Sequence, residues 1–263
     1  MMNRREFIVS AGAALVASRI PVFAAGVPAL TLTFDKHPET VSTAWPIMNA
    51  RGLVGTFFVA PSTVIAAGVG APPPPQCYQH LLVAMKETGW EISVYFDVNA
   101  PHFCTSNGRV AFCERVQQQL DTMRGWELPV SSLAAPQRAW NPTLRGIIQN
   151  YYDRVRVADI ARNTAGAWET LPVPDPLYIR GGGIDSLSTG DTVASLCARI
   201  DDLIALGGLA QWIVHRVADT GDPIYRIPVA TFTAVMDYIK AKRDAGLIQV
   251  VRTCDLPAKT ILD

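Results

Sequence analysis

The sequence predicts an α/β fold, a barrel of parallel strands surrounded by helices, and three observations carry that expectation. Short apolar runs alternate with longer amphipathic segments from Pro28 onward, the pattern of strands joined by crossover helices. Runs such as Leu53-Val-Gly-Thr-Phe-Phe-Val59 are mostly apolar, as in strands covered on both faces. About seven such units in 263 residues fit one barrel-like domain with a sizeable core better than two domains.

The strands are expected at 28–34, 54–59, 90–96, 129–134, 154–158, 209–214 and 248–252, and the helices at 39–51, 76–88, 108–124, 141–150, 190–206 and 228–244. The last helix shows the reasoning. Pro228 suits a first helical turn, Phe232, Val235, Met236 and Ile239 recur at three- and four-residue steps, and Gly246 stands past the end. Gly68 to Pro75 is a loop stiffened by four prolines. Residues 163–189 hold prolines and the run Gly181-Gly-Gly183, and read as irregular with one short strand near Leu177-Tyr-Ile179. No internal repeat is present.

Residues 1–24 read as an export leader and residues 25–263 as the mature domain. Arg4-Arg5 precedes the apolar run Ile8 to Ala17, and Val22-Phe23-Ala24 offers a small-residue cleavage site. The arginine pair before Phe7 resembles a twin-arginine export signal, which points to a periplasmic or secreted protein. Without the leader the chain carries 20 basic and 22 acidic residues. That balance argues against nucleic acid as a partner, since phosphate recognition needs a basic face. No apolar run after the leader is long enough to span a membrane. Five cysteines, Cys77, Cys104, Cys113, Cys197 and Cys254, show no zinc-knuckle spacing. Cys104 and Cys113 bracket a short polar loop and are open to two readings, a disulfide or small buried thiols.

Two strand tips carry the chemistry. Leu30-Thr-Leu-Thr-Phe-Asp35 ends on a carboxylate and Trp212-Ile-Val-His215 ends on an imidazole. Barrel enzymes place their reacting groups at this end of the strands, and an acid–base pair is what hydrolysis of an acyl group requires. Among the aromatics, Tyr95 and Trp140 are candidates to line a sugar-binding groove, with Trp168 behind them, while Trp212 alternates with Val214 and reads as core. Arg138, in the same loop as Trp140, either binds an acidic sugar or is solvated. His80 lies in a helical pattern and takes no role.

The order of the pieces resembles the polysaccharide deacetylase family, the NodB-homology domain of carbohydrate esterases. The resemblance rests on Thr33-Phe-Asp35, Gly55-Thr-Phe-Phe-Val59, Gly89-Trp-Glu-Ile92, Ala134-Ala-Pro136 through Asn141, and Ile213-Val-His215. A final helix with Phe232 and Asp237-Tyr238 and the segment Gln249-Val-Val-Arg-Thr253 complete it. It implies a distorted, NodB-like barrel and a hydrolase removing an N- or O-acetyl group from a carbohydrate, with Asp35 as base and His215 as acid.

The resemblance also marks departures. The family's first motif, T-F-D-D-G, reads Thr33-Phe34-Asp35-Lys36-His37 here, so Lys36 stands where a metal-binding Asp is usual. The two histidines of the second motif align with Tyr95 and Asn99, and the arginine of the third motif aligns with Ala134. No metal is therefore expected at the usual positions. Lys36 either serves as a surrogate cation beside Asp35 or points to solvent. A divalent metal enters only if the site is rebuilt from ligand types nearby, His37, Asp97 and His102 with Asp35. The competing implication is a non-catalytic carbohydrate-binding protein on a deacetylase scaffold.

Overall fold

The computed structural model describes residues 24–36, 38–61, 75–96, 106–128, 130–135, 140–159, 168–185, 191–221 and 225–257. Among these residues there are eight strands and six helices; the strands run β1 Ala29–Lys36, β2 Thr56–Val59, β3 Glu91–Tyr95, β4 Ser132–Ala134, β5 Arg154–Ala158, β6 Ile179–Gly183, β7 Leu209–Val214 and β8 Gln249–Val250. The helices alternate with them: α1 Pro38–Asn49, α2 Pro75–Glu87, α3 Ser106–Gly125, α4 Pro142–Ile148, α5 Val193–Leu206 and α6 Val229–Asp244. The strands pair in the order β2-β3-β4-β5-β6-β7-β1-β8, and β2 also pairs with β1. All pairings are parallel. Seven strands thus close into a barrel.

The seventh barrel strand is not the one the sequence suggested. Residues 248–252 supply only β8, which joins the lower end of β1 at Ala29 and Leu30, on the edge that β2 occupies higher up at Thr33 to Lys36. The place in the barrel goes to β6, and so to the glycine run that looked irregular. Inside the barrel a side chain at Gly181 would crowd β7, since its Cβ would stand 3.1 Å from Gln211 O and 3.2 Å from Ile213. The pairings with β5 and β7 supply the backbone hydrogen bonds, so the absence of side chains does not prevent a strand. A second glycine is fixed by geometry: Gly208 opens β7 at φ +94, with a would-be Cβ 2.5 Å from Glu169 O.

Strand alternation separates two environments. The outward set, including Leu32, Phe34, Phe57, Val94, Trp212 and Val214, belongs to one large apolar cluster with the helices. Helix α6 adds Phe232, Val235, Met236 and Ile239 to it, the stripe its sequence predicts. The inward set is largely polar: Thr31, Thr33, Asp35, Thr56, Glu91, Ser93 and Gln211, all buried. Several of these groups are bonded across the barrel. Thr56 Oγ1 donates to Glu91 Oε2 at 2.8 Å and Thr33 Oγ1 donates to Trp212 O at 2.9 Å, as buried polar groups require.

The N-terminal end of the barrel is closed by a short 3₁₀ turn, Thr253–Asp255. Its Thr253 N–H donates to Thr56 Oγ1 and its Cys254 N–H to Glu91 Oε2, each at 2.9 Å. A small apolar layer of Ala29, Val173, Ile179, Leu209, Val251 and Leu256 packs there. Cys113, Cys197 and Cys254 are free thiols, so Cys113 is not bridged. Residues 1–23, with Arg4 and Arg5 of the expected leader, lie outside the described residues. Among the described residues no helix is long and apolar enough to cross a membrane.

Candidate active site

The opposite, C-terminal end of the barrel gathers the charged groups. Register pairs Phe34 with Val214, so Asp35 and His215, one step further on, sit side by side on adjacent strand tips. Asp35 is 3% exposed and forms an ion pair with Arg156, itself 1% exposed. The Arg156 guanidinium lies over the Phe58 ring, 5.2 Å from its centroid. It rises from β5 opposite Ala134. An arginine absent at Ala134 thus stands on the neighbouring strand, where it reaches Asp35.

His215 has its own counter-charge. Its Nδ1 lies 3.1 Å from both carboxylate oxygens of Asp185. A carboxylate only accepts, so Nδ1–H donates, and Nε2 is the ring nitrogen that Asp185 does not engage. Asp185 also accepts the backbone N–H of His215, and that of Arg216 at 3.2 Å. Burial pulls the imidazole pKa down, but the Asp185 hydrogen bond and the charges of Asp185 and Asp35 outweigh it. The net shift is upward from the ordinary value near 6.5, with Arg156 opposing it. Asp35 and His215 are therefore each oriented by a buried partner of opposite charge.

Lys36 ends β1 at φ +66, a left-handed conformation unusual for a residue with a side chain. Its Nζ lies over the Tyr95 ring, 4.7 Å from the centroid, in cation–π geometry. Arg156 is in ion-pair contact with Asp35. Tyr95 is buried in the mouth with Phe58, Ala60 and Ala134. Trp140 and Trp168 are half-buried and pack against the outer apolar cluster, as does fully buried Trp212. His37, Asp97, Asn99, His102 and Arg138 lie outside the described residues.

The residues present at the usual metal positions do not fit a divalent cation. Lys36 brings an ammonium with no lone pair to donate, Tyr95 carries that charge on its ring, and Arg156 engages Asp35. Among the described residues no group of three His, Cys, Asp or Glu side chains comes together to hold a metal.

Three contributors were not anticipated from sequence. Arg156 was readable: Arg154-Val-Arg-Val-Ala158 alternates charge with valine, a period-two pattern that puts the arginines inside the barrel. Asp185 follows the glycine run as a strand-tip carboxylate, and went unseen because that run was not read as a strand. Tyr225 lies in the connection from β7 to α6, with its ring edge-on to His215 at 5.2 Å between centroids. No periodic signal marks it.

Neither a family model nor a curated protein sequence matches the chain. Solved structures do. A family 4 carbohydrate esterase from Streptomyces lividans, in complex with acetate, aligns with a TM-score of 0.53 at 13% identity over 85% of this chain and 91% of that one. The peptidoglycan deacetylase PdaC from Bacillus subtilis aligns at 0.51 and 18% identity over 88% and 90%. The fold is that of the family 4 carbohydrate esterases. A pseudoenzyme of the same family from Bacillus anthracis aligns at 0.55 and 12% identity over 89% of this chain and 66% of that one. The polysaccharide deacetylase resemblance in the sequence and the architecture agree on this scaffold.

Proposed function

We propose that this protein is an exported hydrolase that removes an acyl group from a carbohydrate, with Asp35 as the base toward water and His215 as the acid that protonates the leaving group. One observation carries the reading: two groups 180 positions apart in sequence meet on neighbouring strand tips, each held by a buried counter-charge. Arg156 orients the Asp35 carboxylate. Asp185 orients His215 and raises its pKa, which suits an acid working near neutrality. Lys36 is the candidate donor to the developing oxyanion. The scaffold shared with enzymes named as esterases and deacetylases supports an acylated carbohydrate as substrate. The leader supports delivery to the periplasm or beyond.

A second reading, a carbohydrate-binding protein without turnover, is favoured by Lys36 at the metal-ligand position and by the likeness to a pseudoenzyme. Acetate release from acetylated xylan and from N-acetylglucosamine oligomers by residues 25–263, with and without chelator, separates the two. Turnover that resists chelator and is lost in Asp35→Asn supports the proposal. Turnover abolished by chelator points instead to the rebuilt metal site. Glycan binding with no acetate release establishes the second reading.

A further inference from the structure

We infer that Tyr225 is a sugar-stacking platform at the rim of this site, a reading that rests on the proposed function. Tyr225 is 51% exposed, yet one side of its ring meets the His215 imidazole at an interplanar angle of 60°. A large aromatic fixed against the proton-transferring residue, with half its surface in solvent, offers an apolar face to the C–H face of a pyranose ring.

The described residues on either side of Tyr225 are tied down by hydrogen bonds. Val217 and Ile227 form a parallel bridge. Ile227 N–H donates to Arg216 O at 2.9 Å and Ala218 N–H donates to Ile227 O at 3.1 Å. Asp219 ties the connection to the start of α6, accepting from Val229 N–H at 3.0 Å through Oδ1 and from Arg226 Nη1 at 2.5 Å through its carbonyl. Gly221, at φ +106, lets the Arg216 guanidinium lie across the turn, since a Cβ there would stand 2.7 Å from Nη1. Flanks tied in this way lower the entropy cost of setting Tyr225 against a ring. The ligand class it selects is a carbohydrate chain whose acylated residue sits at His215 and whose neighbouring ring covers Tyr225.

The test compares wild type, Tyr225→Ala and Tyr225→Phe on N-acetylglucosamine oligomers and on 4-nitrophenyl acetate, which is too short to bridge both places. The expected result is a KM for the oligomer about 2- to 10-fold higher in Tyr225→Ala, the range of an aromatic stacking contact. Its kcat changes much less, the ratio of oligomer to small-ester kcat/KM falls by the same factor, and Tyr225→Phe restores both. An equal loss on both substrates, or no change in the ratio, overturns the inference. If wild type releases no acetate from either substrate, the hydrolase reading fails by itself. Calorimetric titration with the same oligomers then decides. A 2- to 10-fold weaker Kd in Tyr225→Ala upholds the platform; an unchanged Kd, or no binding by wild type, removes it.

Discussion

At the scale of single residues, the site consists of two oppositely charged pairs, and each makes a distinct prediction. Arg156 and Asp35 are both almost wholly buried. Removing one charge of such a pair strands the other in a medium that solvates it poorly. Arg156→Met should therefore lower unfolding stability by about 3 kcal/mol, and adding Asp35→Asn should recover most of that loss. Denaturant unfolding of the two single variants and the double variant reads the coupling, and additive losses would show that the pair is not a unit. The His215–Asp185 pair is pH-dependent. Because the folded-state pKa of His215 is raised, its pairing stabilises the fold below the unfolded-state value and stops doing so as pH rises through the folded-state value. The melting temperature of wild type should exceed that of Asp185→Asn most at about pH 6, and the gap should narrow toward about pH 9. A gap that widens with pH would reverse the assignment. Asp35 and His215 were legible because each ends an apolar run. Arg156 was legible in principle, since charge alternating with valine means an inward-facing set.

At the scale of elements, the sequence placed strands and helices well wherever periodicity is strong and failed where side chains vanish. Helix α6 and strands β1, β2 and β7 announce themselves by apolar spacing. Strand β6 does not, because glycine carries no hydropathy signal, and what makes it a strand is the backbone pairing on both sides and the crowding from Ile213. Helix boundaries follow local hydrogen bonding rather than hydropathy. Helix α5 was expected from residue 190 but starts at Val193, because Thr192 forms a capping box: its Oγ1 accepts from Ser195 N–H at 3.1 Å and Ser195 Oγ accepts from Thr192 N–H at 2.9 Å. Thr192→Ala should cost about 1 kcal/mol while Thr192→Asp costs a few tenths at most. Thermal unfolding of the two variants checks this, and equal losses would locate the cost outside the cap. The cap lies just beyond the strand that delivers Asp185, so the comparison also tells whether a frayed α5 disturbs the titration of His215.

At the scale of the whole molecule, the polar lining divides the barrel into a floor tied to the closing turn and a mouth that gathers the two buried ion pairs. Sequence could not reveal this division, because Thr56, Glu91 and Thr253 are distant along the chain and meet only when the barrel closes. At the floor, the buried Glu91 carboxylate accepts from Thr56 Oγ1 and from Cys254 N–H, joining β2 and β3 to the turn that seals the lower opening. At the mouth Asp35 bonds to Arg156 and His215 to Asp185, whereas this network joins Glu91 to Thr56 and Cys254. In barrels of this kind the lower end serves stability and the upper end reactivity. Glu91→Ala leaves a buried hydroxyl and a buried backbone donor without their acceptor, at about 1–3 kcal/mol for each. For a domain of this size that corresponds to a melting temperature roughly 4–12 °C lower. The pKa of His215, followed by NMR through its imidazole protons, should stay where it is in wild type, because Asp185 and Asp35 keep their positions. A variant that melts early and titrates normally would establish that floor and mouth are separable. A shifted His215 titration would show that the barrel transmits a defect along its whole length, and the two ends would then have to be treated as one cooperative unit.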